Sequence, residues 1–208
     1  MTTSKMVPVP KGYGAVQVRA STLNEADRTV EIIWAAGAQV KRWAPEIGEY
    51  IEELSMDPAH IRLERFQAGM SLLDAHAAAS MDSRLGTVIV SSVHISGGKG
   101  FATVKLSRKR AAEELMQDLR DGHPFPVSVG YRTHEYVRVE TEGALPVLRA
   151  VDWEPFELSA VPVPADGGAH SRAADGEGTE CRVVSLPASQ VARRVLARMK
   201  MRQATLMA

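Results

Sequence analysis

A serine hydroxyl attacks a carbonyl at neutral pH only if a base removes its proton as the new bond forms, and neutral imidazole is the natural base. One serine has a suitable setting: Ser128, in Pro126-Val127-Ser128-Val129-Gly130-Tyr131. Strand alternation sends Val127, Val129 and Tyr131 to one face and leaves Ser128 and Gly130 on the other. There the missing side chain of Gly130 gives a substrate backbone room to approach, and permits a local bulge. Of the six histidines, His60, His76, His94, His123, His134 and His170, His76 stands apart. It ends the run Met70-Ser-Leu-Leu-Asp-Ala-His76 and is followed by small residues up to Ser80, so it sits where a strand leaves the core. The imidazole then needs a partner to fix its tautomer and stabilise its positive charge. Glu157 is the preferred carboxylate, because an unpaired charge in the apolar strand around it would be costly. Asp74, Asp152 and Glu154 compete for the same task.

Other chemistries find less support. The single cysteine, Cys181, excludes an intrachain disulfide and a multi-cysteine zinc site, and lies in a stretch that reads as linker, where nothing would activate a thiol. Asp74-Ala-His76 places two metal-ligand types close together, and His60, His94 or His134 could complete a set. That spacing is common by chance, and there is no His-Glu-x-x-His or paired-cysteine signature. Gly97-Gly98-Lys99-Gly100 links two strands with no helix start behind it, so it reads as a hairpin turn, not a phosphate loop. Neither a metal nor another cofactor is expected.

The elements that must position these residues are mostly strands. Alternation at Val16, Val18 and Ala20, then at Val30, Ile32 and Trp34, separated by a turn-like stretch, gives a hairpin. Further β-rich runs are expected at 49–54, 71–75, 86–95, 99–106, 127–131, 133–139, 145–152 and 156–161. So many closely spaced strands predict a barrel or sandwich. One helix is expected over 107–121, capped by Ser107, striped by Ala111, Leu115 and Leu119, and ended by Gly122. A weaker helical pattern spans 58–67.

The 208 residues, 45% apolar with 25 basic and 25 acidic side chains, suit one soluble domain with a tail. Zero net charge argues against a protein devoted to coating nucleic acid or an anionic membrane. No run approaches the ~20 apolar residues needed to span a bilayer, and the first residues lack a signal-peptide core. Past residue 165 the chain turns to Gly, Asp, Ala and Glu and reads as a linker. Residues 182–208 carry six Arg or Lys and no acid, with Val191, Val195, Leu196 and Met199 at helical spacing. The division is an N-terminal extension (1–11), a domain (12–166), a linker (167–181) and a basic amphipathic tail (182–208).

Together these segments resemble the capsid maturation (prohead) serine proteases of tailed bacteriophages, related to the herpesvirus assemblins. The resemblance covers about residues 12–172 and rests on four motifs in order. They are Arg65-Phe-Gln-Ala-Gly-Met-Ser-Leu-Leu-Asp-Ala-His76, Leu85-Gly-Thr-Val, Val127-Ser-Val-Gly-Tyr131, and the closing Trp153-Glu-Pro-Phe-Glu-Leu-Ser-Ala-Val-Pro-Val-Pro-Ala-Asp-Gly-Gly-Ala169. A departure is Ala77, where the family often has an acid or amide after its histidine. The resemblance implies a mainly β fold with flanking helices (α+β), a closed or partly open β-barrel. Ser128 would be nucleophile, His76 general base and Glu157 third member; the assemblins use a second histidine there, for which His134 or His94 would serve. Arg132 is a candidate oxyanion donor beside backbone amides. The implied function is cleavage of coat and scaffold segments inside an assembling procapsid in the host cytoplasm, extending to self-association and to cleavage of its own chain past about residue 165. No direct role with nucleic acid or membrane is implied. The alternative is a non-catalytic capsid assembly module that retains the barrel.

Overall fold

The computed structural model describes residues 3–9, 12–140, 142–162 and 179–185. Their strands are β1 (Thr3–Val9), β2 (Gly12–Asn24), β3 (Thr29–Ala35), β4 (Gln39–Ala44), β5 (Gly48–Leu54), β6 (Ser71–Asp74), β7 (Arg84–Val88), β8 (His94–Ser96), β9 (Lys99–Leu106), β10 (Pro126–Val139), β11 (Val147–Ala160) and β12 (Thr179–Ser185). Two helices accompany them, the single turn α1 (Glu64–Gln67) and α2 (Arg110–Arg120). The fold is mainly β, one large mixed sheet whose strands run β1-β12-β10-β2-β3-β9-β7-β6-β11-β5-β4, with β8 beside β9. β10 and β11 also pair with each other along almost their whole length.

These two long strands organise everything else. The first half of β10 pairs antiparallel with β2, and its second half parallel with β12. β11 pairs parallel with β5 through Val147–Ala150 and with β6 through Leu158–Ala160. Inward alternation fills the core: Val30, Ile32 and Trp34 from β3, Ala102, Val104 and Leu106 from β9, Val127 and Val129 from β10. At its centre Trp34 lies 5.0 Å from Phe66 and 6.2 Å from Trp153, ring centre to ring centre, and Tyr131 meets Trp153 edge-on at 5.8 Å. Such tilted contacts suit the aromatic quadrupole.

A buried polar cluster fastens β4 and β5 to β10. Glu52 accepts from Arg42 Nε at 3.0 Å, from Tyr131 Oη at 2.5 Å, and from Tyr136 Oη. Burial and the adjacent Glu52 charge hold both phenols well above their ordinary pKa, so they remain donors.

Several elements differ from the sequence reading. Helix α2 starts at Arg110, and Ser107 Oγ instead accepts from Lys109 N, ahead of the helix. Its buried stripe is Ala112, Met116 and Leu119, one residue round from the expected Ala111 and Leu115. Gly122 does end it, at φ +84°. The stretch 58–67 is not one helix, because Ile61 bridges to Trp153 and splits it into a 3₁₀ turn and α1. The run 86–95 breaks at a 3₁₀ turn over Val90–Ser92. By contrast, 127–131 with 133–139, and 145–152 with 156–161, are two continuous strands. The Gly97-Gly98 turn joins β8 to β9 as a hairpin, both glycines at positive φ.

The chain ends also depart from expectation. Within the expected N-terminal extension, Thr3–Val9 is β1, and across the expected linker–tail boundary Thr179–Ser185 is β12, paired with β1 and β10. The apolar spacing of Cys181, Val183 and Val184, all buried, is what docks it. The rest of the expected linker and the basic residues beyond 185 lie outside the described residues.

Candidate active site

Three adjacent strands, β6, β11 and β10, carry the residues singled out by the sequence, with β11 in the middle. Ser128 lies directly opposite Ser159 and Gly130 opposite Glu157 across the β10–β11 pair. Leu73 and Asp74 lie opposite Ser159 and Ala160 across the β6–β11 pair, so the chain leaves β6 for His76 beside the end of β11. Strand spacing of about 4.8 Å puts the backbones of β6 and β10 about 9–10 Å apart at this level.

Glu157 reaches the site because of a β-bulge. From Gly130 to Tyr131 the partner strand advances from Glu157 to Pro155, leaving Phe156 as an extra residue on β11. A bulge bends the strand and redirects side chains. Trp153 and Pro155 stay buried on the core side, while Phe156 and Glu157 both line the same surface groove. Simple alternation would have placed Glu157 on the core side with Trp153.

Gly130 makes the second contribution. A Cβ at this position would lie 2.5 Å from Glu157 Cγ and 2.8 Å from Oε1. The space expected for a substrate backbone is therefore taken by the Glu157 side chain.

Glu157 Oε1 accepts a hydrogen bond from His76 Nδ1. A carboxylate on Nδ1 fixes the tautomer with the ring's basic lone pair on Nε2. His76 stands on a tight turn in which Ala75 and His76 both have positive φ, +43° and +67°, closed by Ala77 N donating to Asp74 O at 2.8 Å. Its side chain is 31% exposed. Ser128 is 1% exposed, and its Oγ has no hydrogen-bond partner among the described residues.

The competing carboxylates are engaged elsewhere or exposed. Asp152 holds Arg62 through two hydrogen bonds of 2.7 Å, and Asp74 is exposed. Glu154 bridges Arg65, at 2.5 Å, and His134, at 3.3 Å. Burial opposes ionisation of Glu154, but the hydrogen bonds from Arg65 and His134 outweigh it and hold its pKa below the ordinary value. The alternative histidines for the third member make other contacts: His134 is on Glu154, and His94 stacks on Phe101 at 5.2 Å. His60 is buried with Nδ1 2.7 Å from Ser55 Oγ, His123 is exposed beyond α2, and His170 lies outside the described residues. Among the described residues no three His, Cys, Asp or Glu side chains group as metal ligands. Arg132 faces Glu154 across the strands, and its buried Nε makes no hydrogen bond among the described residues. Cys181 sits in the core of the sheet, not in a linker, and burial pushes its thiol up to about 12.

Beside Glu157 opens a groove of about 610 Å³, lined by Met70, Leu73, Met81, Phe156 and Arg84 among others. Arg65 at its rim is committed to Glu154, whereas Arg84 forms no ion pair among the described residues. Sequence reading missed this groove, since its walls join the segment 65–84 to Phe156 and Glu157, far along the chain.

No family model matches the chain. Over 128 residues it is 32% identical to the major capsid protein of Halomonas phage phiHAP-1, a stretch covering 61% of this chain and 20% of that protein. The chain thus spans about a fifth of the length of the curated relative it matches. Among solved structures, the bacteriophage T4 capsid assembly protease, gp21, aligns with a TM-score of 0.41 and 12% identity, over 77% of this chain and 96% of that one. No helix among the described residues is long and apolar enough to cross a membrane.

Proposed function

We propose that this chain is a serine endopeptidase of phage capsid maturation, with Ser128 as nucleophile, His76 as general base and Glu157 as its orienting carboxylate. The observation that carries the reading is the His76 Nδ1–Glu157 hydrogen bond, set on the face of β10 and β11 that also holds Ser128. A carboxylate-anchored histidine able to reach a serine hydroxyl on the same face is the arrangement that acyl transfer needs. Ser128 Oγ makes no hydrogen bond among the described residues, so the reading requires the His76–Ser128 contact to form when substrate binds. Further support comes from the four motifs that resemble prohead proteases and from the kinship with part of a phage capsid protein. The run of pairings from β10 through β2, β3, β9, β7, β6 and β11 comes back to β10, which supports reading this part of the sheet as a barrel.

In the proposed reaction Ser128 Oγ attacks a peptide carbonyl as its proton passes to His76 Nε2. Glu157 stabilises the imidazolium, which then protonates the leaving amine. Water, activated by the same imidazole, releases the acyl group. The groove beside Glu157 would take an extended segment of coat or scaffold protein, or of this chain past about residue 165, within a procapsid in the host cytoplasm. Because Ser128 is 1% exposed, its cover must part before a substrate reaches it.

Kinship with a capsid protein also supports a second reading, a non-catalytic assembly module. The two separate on one experiment: co-expression of the full chain with its coat protein, wild type against Ser128→Ala, followed by intact-mass measurement. Cleavage that stops in the variant supports the protease. Cleavage that persists, or coat protein left whole by the wild type, favours the module.

A further inference from the structure

Ala75 and His76 adopt left-handed backbone conformations at φ +43° and +67°. Each such residue other than glycine costs about 1–2 kcal/mol relative to the right-handed region, so two in succession persist only where the surroundings hold them. Three hydrogen bonds do so. Ala75 N donates to Ala160 O at 2.9 Å and Ala77 N to Asp74 O at 2.8 Å, bonds any side chain would allow. The third is from His76 N to Ser159 Oγ, at 3.2 Å, and depends on a side chain.

Ser159 is fully buried, two residues beyond Glu157 on β11 and directly opposite Ser128 on β10. His76 is thereby gripped at both ends by one strand, its backbone by Ser159 and its ring by Glu157. Fixing both ends of so short a side chain leaves the ring little freedom about its two torsions. Directly opposed residues on neighbouring strands have Cβ atoms about 4.5–5.5 Å apart. The hydroxyl that holds the histidine turn is therefore also the cross-strand neighbour of the serine the imidazole must serve.

From this geometry we infer that Ser159 is a positioning residue, which aims His76 at Ser128 by holding the left-handed turn, and that it takes no part in bond making. The inference rests on the protease reading for its effect on rate, but its effect on the His76 ring stands without it.

The test uses the full chain as wild type, Ser159→Ala, Ser159→Thr and Ser159→Cys. The cysteine variant is nearly isosteric and a weak acceptor, so it keeps the packing if the alanine variant fails to fold. Cleavage of coat protein gives kcat and KM, and the ring-proton resonance of His76, assigned with His76→Gln, reports the imidazole. Displacing an aligned group by an ångström can reduce rate about 100-fold, so kcat should fall about 10- to 100-fold in the alanine and cysteine variants with KM nearly constant. Threonine should restore much of it, and the His76 resonance should move or broaden in the first two variants. A cysteine variant with wild-type kcat and an unmoved His76 resonance overturns the inference. If Ser128→Ala still cleaves, the protease reading fails separately, and the His76 resonance alone then decides the role of Ser159.

Discussion

Gly130 and Glu157 face each other across β10 and β11, and the space a Cβ would fill at residue 130 is occupied by the Glu157 side chain, 2.5 Å from that Cβ position to Cγ. The glycine admits the carboxylate, and the carboxylate holds the imidazole. A residue without chemistry of its own thus determines whether His76 has a partner.

On the proposed protease reading, Gly130→Ala should therefore reduce cleavage far more than its size suggests. The methyl group must push Glu157 away from His76, and overpacking of this kind destabilises by about 1–3 kcal/mol. Urea denaturation would measure the stability change, and coat-protein cleavage the activity. A variant with wild-type activity would show that Glu157 can leave His76 without consequence.

Ala75→Gly should separate stability from activity. Glycine adopts positive φ without steric penalty, and after its greater unfolded-state entropy the gain should be about 0.5–1 kcal/mol. A more pliable turn should at the same time lower kcat. Greater stability together with unchanged kcat would show that the strained turn has no part in aligning His76.

Removing Glu52 should be severe. Glu52→Ala leaves Arg42 buried without its carboxylate and two phenols without their acceptor, and breaking a buried ion pair from one side typically costs about 3–5 kcal/mol. Replacing Glu52, Arg42, Tyr131 and Tyr136 together by apolar residues of similar volume should be much milder. Thermal unfolding of both variants tests the contrast.

Acid should weaken the Arg65–Glu154–His134 cluster. The folded-state pKa of Glu154 lies below its ordinary value of 4.5. Its stabilising contribution is therefore present above that value and is lost as pH falls through the lower folded one. Wild type should exceed Glu154→Gln in stability at neutral pH, with the difference closing toward acid pH. A difference independent of pH would show that the Glu154 charge is not what stabilises the cluster.

Cys181 should resist alkylation in the folded chain. It is buried in β12, with a thiol pKa of about 12, so little thiolate is available at neutral pH. Labelling with iodoacetamide should appear only once urea unfolds the sheet. Rapid labelling of the folded protein would mean that β12 leaves β1 and β10 readily.

The sequence by itself determined the β-rich character of the chain, the alternation that puts Ser128 and Gly130 on one face, the glycine turn between β8 and β9, and the stop of α2 at Gly122. Each follows from local backbone geometry, which a short window of residues records. Only the tertiary structure decided that β12 completes the sheet, that Phe156 is an extra residue which turns Glu157 away from the core, and that His76 stands on a left-handed turn held by Ser159. A bulge exists only as a mismatch between two paired strands, and a sequence separation of 81 between His76 and Glu157 leaves no local signal of their contact. That contact forms because β6 and β11 lie side by side, Leu72, Leu73 and Asp74 against Leu158, Ser159 and Ala160, a pairing between segments far apart in the chain.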